Sequence, residues 1–126
     1  MDFRDIHPMK AQFNAPFTQL QQARGYDHNY VINVPQGCLR PAAIAGSDVS
    51  GITLQVETTM PGMHFYTANY IHDGLVGKGG CIYGPQHAFC LETQFYPDAI
   101  HHPQFPSPIL KASEIYDHKT ILTFTV

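Results

Sequence analysis

From Tyr26 onward the chain is a series of short runs rich in β-branched and aromatic residues, each closed by turn-forming residues before a long helix can complete itself. The runs lie at 26–34, 52–59, 64–69, 89–95 and 120–126, with a looser one at 42–45. Pro35-Gln36-Gly37, Gly46-Ser47-Asp48, Ser50-Gly51 and Pro61-Gly62 supply turn chemistry between them. Spacers this short favour antiparallel meanders over strand-helix-strand units, so an all-β sandwich or barrel is expected. A chain of 126 residues has room for one modest domain of that kind.

One helix is predicted, over 14–24. Asn14 is the capping residue, Pro16 falls in the first turn, Phe17 and Leu20 are one turn apart, and Gly25 ends it. Before it, His7-Pro8 marks a turn. The glycines of 74–84 match neither GxGxxG nor GxxxxGK[ST] and precede no helical pattern, which predicts a flexible surface loop and no phosphate cradle. Four prolines in 97–108 predict an extended, irregular connection.

Composition narrows the functional classes. With 44% hydrophobic and 13% charged residues and a net charge of −3, the chain lacks the signature of disorder and is no basic nucleic-acid binder. No apolar stretch approaches the roughly 20 residues of a membrane-spanning helix. Met1-Asp2-Phe3-Arg4-Asp5 carries acids where a secretory leader would be basic, so a cytoplasmic location is expected. The three cysteines, Cys38, Cys81 and Cys90, fit neither a disulfide framework nor a CxxC site and are expected as reduced, mostly buried thiols. Eight histidines include the pair His101-His102, yet no HxH, HxxxH or HExxH spacing occurs. On an extended segment these neighbours point to opposite sides, and no metal is expected.

The run Phe89-Cys90-Leu91-Glu92-Thr93-Gln94-Phe95 is the chemically suggestive one. Alternation places Cys90, Glu92 and Gln94 on one side of a strand and Phe89, Leu91, Thr93 and Phe95 on the other. Read alone, Glu92 is either a solvent-facing strand residue or a carboxylate held for a purpose.

Its company favours a purpose. Gly25-Tyr26-Asp27-His28-Asn29-Tyr30-Val31, Met63-His64-Phe65-Tyr66-Thr67-Ala68-Asn69 and Cys90-Leu91-Glu92-Thr93-Gln94 occur in that order, followed by Tyr96-Pro97-Asp98, His102-Pro103 and Phe105-Pro106-Ser107. The set, with Asp2-Phe3-Arg4 ahead of it, resembles the C-terminal part of the aldose 1-epimerases, or galactose mutarotases, over essentially the whole of 1–126. That resemblance implies an antiparallel β-sandwich of galactose-mutarotase type, the C-terminal portion of a larger supersandwich, with one short N-terminal helix. It also implies a cofactor-free acid/base reaction that opens a hexose ring and recloses it as the other anomer.

By the same resemblance Glu92 stands where the family has its base, in a setting to which Cys90 and Phe95 would lend low polarity. Asp27 matches a sugar-binding aspartate; the alternative is a turn aspartate capping its own backbone. His64 stands where the family often has glutamine, and Ala68 where it has glycine. His64 is either a sugar contact with altered preference or a strand histidine satisfied by nearby backbone. The family's general-acid histidine belongs to a preceding segment, and none of the histidines here matches it. His28 adjoins Asp27, but neighbouring strand residues face opposite ways. The expectation is therefore an epimerase part, a silent carbohydrate-binding or interaction module, or, more remotely, a small cupin-like metal barrel. The expected partner is an aldohexose, with no nucleic acid and no membrane. Self-association or pairing with a separate N-terminal segment is expected to cover exposed sheet.

Overall fold

The computed structural model describes residues 1–33 and 37–126; the end of the predicted 26–34 run and the Pro35-Gln36 turn lie outside them. Its elements are one helix, α1 (Thr18–Ala23), and eight strands: β1 (Asp27–Val31), β2 (Arg40–Gly46), β3 (Thr53–Thr58), β4 (Gly62–Tyr66), β5 (Leu75–Val76), β6 (Ile82–Tyr83), β7 (Cys90–Gln94) and β8 (Thr120–Thr125). Each predicted β-run overlaps a strand, although β4 begins two residues before its run and β2 extends beyond its run at both ends. The chain divides into two compact units, Met1–His28 with Phe65–Leu91, and Asn29–His64 with Glu92–Val126.

In the first unit the helix cap falls three residues later than the sequence pattern predicts, at Phe17 in place of Asn14. Pro16 disfavours a helical Ala15, tight turns bond Ala15 N–H to the Gln12 carbonyl (2.9 Å) and Phe17 N–H to the Ala15 carbonyl (2.8 Å), and Phe17 is an extended N-cap. The end falls as predicted. Arg24 takes the left-handed conformation (φ 59°), and the Gly25 N–H donates to the Leu20 carbonyl (3.0 Å). Gly25 itself has φ 146°, and a Cβ there would lie 2.8 Å from Thr67 Oγ1, so no larger residue fits.

Tyr26 is the centre of this unit, with no exposed surface. Its ring lies 5.0 Å from Phe3, 5.6 Å from Phe13 and 5.0 Å from Phe65, centroid to centroid. Its backbone is clasped by two buried polar side chains: the Tyr26 N–H donates to Thr67 Oγ1 (3.0 Å), and Asn69 Nδ2 donates to the Tyr26 carbonyl (2.8 Å). The Thr67 hydroxyl lies 2.7 Å from Asn69 Oδ1, so the polar groups of the clasp satisfy one another.

Ahead of this core the chain ties itself into a hook. The guanidinium and backbone N–H of Arg4 hold the Asp2 carboxyl well below the usual carboxylate range. His7 stacks on Phe3 at 4.6 Å, with Nε2 2.8 Å from the Asp2 carbonyl and Nδ1 3.1 Å from the Pro8 carbonyl. Only an imidazolium donates from both nitrogens, and these two carbonyls, that of Asp2 foremost, raise the His7 pKa. A raised folded-state pKa stabilises the hook fully below the ordinary value of about 6.5, and that contribution is lost as pH rises through the folded-state value. An NMR titration of the His7 ring should give a midpoint above that ordinary value; a midpoint at or below it would contradict these bonds.

The glycine-rich stretch is not the flexible loop its composition predicts. β5 and β6 pair antiparallel, Leu75 with Tyr83 and Val76 with Ile82. Gly77 takes the Tyr83 ring against its backbone where a Cβ would overlap it. Gly74, Gly79 and Gly80 adopt positive φ, so these glycines make a tight hairpin.

In the second unit β2, β3 and β8 form an antiparallel sheet in that order. Opposed residues share a face, so Ala43, Val56 and Leu122 line one side with Ala45, Leu54 and Phe124, while Glu57, Gln55 and Thr123 lie on the other. Val56 is fully buried, but Leu122 and Phe124 are 54% and 64% exposed. The two edges of the sheet differ. β2 carries Pro41 and a bulge between Pro41 and Ala43, whereas all six residues of β8 are exposed and its register is unbroken. Arg40, only 3% exposed, donates to the carbonyls of Cys38 (3.0 Å), Thr58 (3.4 Å) and Met60 (2.8 Å).

A second three-stranded sheet has the order β1-β4-β7, each strand carrying residues of both units. Within the proline-rich connection Ala99–His101 forms a 3₁₀ turn, so that stretch is not wholly extended. All three cysteines are exposed, contrary to the burial expected of them. They sit at strand ends, turns and an alternating strand, where apolar character alone does not decide burial.

Candidate functional site

Glu92 sits at the middle of β7, and its orientation follows from its neighbour. Thr93 Oγ1 lies 2.7 Å from Thr120 Oγ1, which is 3.0 Å from Thr58 Oγ1, so Thr93 faces the β2-β3-β8 sheet within the second unit. Alternation then turns Glu92 and Gln94 to the opposite side. Glu92 is exposed. The low-polarity setting expected from Cys90 and Phe95 is absent from the described residues: Cys90 is exposed too, and the Phe95 ring packs edge-on to His118 at 5.5 Å.

His64 lies half-buried on β4, the strand next to β7, and belongs to the same unit as Glu92. Asp27, also half-buried, opens β1 on the other side of β4 in the sheet order and belongs to the first unit. Of the three residues singled out by sequence, His64 and Glu92 therefore lie on neighbouring strands within the second unit. The Asp27 backbone N–H donates to His28 Nδ1 at 2.9 Å.

Ala68 has φ 53°, in the left-handed region where a side chain costs about 1 kcal/mol or more. That is the position at which the resemblance places glycine, and the reason is conformational. The Gln86 N–H donates to the Ala68 carbonyl (3.1 Å), which helps hold the turn.

His101 and His102 do not diverge as adjacent residues of an extended segment would. Ala99–His101 coils into a 3₁₀ turn, and both rings reach the Asp98 carboxylate, His101 through Nδ1 and His102 through Nε2 at 3.3 Å. The signal in the sequence is i,i+3 and i,i+4 spacing from Asp98, which matters only once the segment is helical. His118 is accounted for by Thr59 Oγ1 (3.1 Å) and the rings of Phe95 and Tyr116. Among the described residues no group of three or more His, Cys, Asp or Glu is arranged to hold a metal ion, and no helix is long and apolar enough to cross a membrane.

Comparison with known proteins identifies the family and the fold. Residues 1–123 match the family profile described as aldose 1-epimerase. The chain is 42% identical to human galactose mutarotase (Homo sapiens) over 105 residues, which are 81% of this chain and 30% of that protein. It is 30% identical to the aldose 1-epimerase of Escherichia coli (strain K12) over 125 residues, 98% of this chain and 36% of that one. A solved GalM/aldose epimerase homologue from C. elegans superposes with a TM-score of 0.70 at 28% identity, over 79% of this chain and 30% of that structure. The chain spans about a third of the length of the relatives it matches. Its mostly antiparallel strands have the all-β sandwich fold of these proteins. On the family match, the identities and the shared fold, this chain belongs to the aldose 1-epimerase family.

Proposed function

We propose that residues 1–126 are the C-terminal part of an aldose 1-epimerase-like domain, supplying the base for interconversion of the α and β anomers of an aldohexose such as galactose or glucose. The observation that carries this reading is Glu92, displayed on the side of β7 away from the Thr93 contact, in a family whose matched relatives include galactose mutarotases. Glu92 takes the proton of the anomeric hydroxyl while the general acid protonates the ring oxygen, so the bond from the anomeric carbon to the ring oxygen breaks and the aldehyde forms; that end rotates, and closure on the other face reverses both proton transfers. Asp27 accepts hydrogen bonds from sugar hydroxyls, and His64, with one donor and one acceptor when neutral, contacts another. The chemistry is proton transfer alone and calls for no cofactor or metal. The general acid is contributed by a further segment outside residues 1–126, and pairing with that segment completes the acid/base pair; self-association would cover exposed sheet without adding an acid. Proton transfer to free hexoses fits a cytoplasmic setting.

Polarimetry of freshly dissolved α-D-galactose or α-D-glucose tests the proposal. The chain with its completing segment should accelerate mutarotation, and Glu92→Gln should lower that acceleration about 10²–10⁴-fold; an unchanged rate removes Glu92 from the reaction. A second reading, a silent carbohydrate-binding module, is favoured by the exposure of Glu92 and Cys90, which leaves the carboxylate outside the low-polarity setting a base would use. Calorimetric galactose binding with no acceleration would select it.

A further inference from the structure

A cleft of about 390 Å³ opens in the first unit beside α1. Its volume is within the usual range of small-ligand sites. Lys10 and Arg24 supply two cations to its wall, Asn14, Gln21 and Gln86 supply amides, and Phe13 supplies a half-buried ring over a floor formed by the buried Leu20. No Asp or Glu lines it. Of the other basic side chains, Arg4 is engaged by Asp2 and Arg40 is buried among carbonyls. Among the described residues neither Lys10 nor Arg24 forms an ion pair, so the cleft holds two uncompensated positive charges. A smaller hollow of about 140 Å³ shares Lys10, Phe13 and Gln86 and adds His87.

The backbone at the cleft is held in an unusual form. Arg24 and Gln86 both have positive φ, 59° and 63°, and are joined by a hydrogen bond from Gln86 Nε2 to the Arg24 carbonyl (3.1 Å). The Gln86 N–H is fixed in turn on the Ala68 carbonyl. Two non-glycine residues kept in this region, 62 positions apart and tied to each other, fix one wall of the cleft.

The lining selects a ligand chemistry. A guanidinium fork with a nearby ammonium suits a phosphate group. Three amides offer paired donors and acceptors that match neighbouring hydroxyls, and the Phe13 ring offers an apolar surface for a pyranose face. We infer that this cleft binds a phosphorylated monosaccharide, a ligand different from the free hexose assigned to Asp27, His64 and Glu92, none of which lines it.

Saturation-transfer NMR observed on the ligand tests this in the whole chain, whatever its state of association. Glucose 6-phosphate should receive saturation on its ring protons. The double variant Lys10→Ala/Arg24→Ala should weaken its binding at least tenfold while leaving any binding of free galactose as it was. Raising salt should weaken it as well, because two exposed cations are screened. Equal binding of glucose 6-phosphate by the double variant would overturn the site, as would no saturation of that ligand at all. Displacement by inorganic phosphate at equal concentration would overturn the sugar assignment. None of these readouts involves mutarotation, so the inference fails or stands apart from the role of Glu92.

Discussion

Tyr26→Ala should unfold the first unit, lowering stability by about 3–5 kcal/mol, the range for truncating a buried aromatic residue. The ring is fully buried and in contact with Phe3, Phe13 and Phe65, so its loss leaves a cavity that three other rings line and cannot fill without breaking their own contacts. Small domains have only about 5–15 kcal/mol in total, so such a loss brings the unit close to its unfolding midpoint. Tyr26→Phe separates the ring from the hydroxyl. The hydroxyl reaches only Gln12 Oε1 at 3.4 Å, a weak bond, and its removal should cost under about 1 kcal/mol. Urea titration followed by circular dichroism gives both values. A Tyr26→Ala protein as stable as its parent would show that the aromatic cluster does not organise this unit.

Replacing Leu122 and Phe124 together by lysine should weaken association of the chain, with itself or with a completing segment, about 10–100-fold. Burying a large apolar side chain contributes roughly 1.5–3 kcal/mol, and these two retain more than half of their surface for burial against a partner. Lysine at both places removes that gain and adds charges that would need desolvation. Because both residues are exposed in the single chain, the substitutions should leave the far-ultraviolet spectrum unchanged. Sedimentation velocity over a concentration series measures the effect. A compact monomer at every concentration for the parent chain, or equal association by the variant, would remove the apolar side of the β2-β3-β8 sheet as the contact.

Much of this architecture is legible in the sequence because the side-chain period of a strand is local. Alternation alone separates Thr93, which meets Thr120, from Glu92 on the opposite side. Turn chemistry located the breaks between strands for the same reason. The failures are equally physical. Asn14 and Pro16 carry helix-start signals, yet the restriction that proline places on Ala15 delays the helix to Thr18. Glycines at 74–84 have the composition of a loose loop, and the pairing of β5 with β6, the positive φ of Gly79 and Gly80 and the packing of Tyr83 on Gly77 make them a hairpin. The convergence of His101 and His102 on Asp98 depends on a 3₁₀ turn too short to produce a periodic pattern. Asp27 and His64 were singled out through family resemblance, since neither stands in a local pattern that separates a ligand contact from an ordinary strand residue.

The unequal edges of the β2-β3-β8 sheet set how far any strand-by-strand assembly can run. A sheet open on both sides can add copies without limit, as fibrils do. Here the β8 side offers an unbroken ladder, while Pro41 brings no backbone donor and the bulge beside it spoils the regular spacing on the β2 side. Were copies to add at β8, each would use up the receptive edge of its β2-β3-β8 sheet, and growth through this sheet would stop at a discrete pair in place of a polymer.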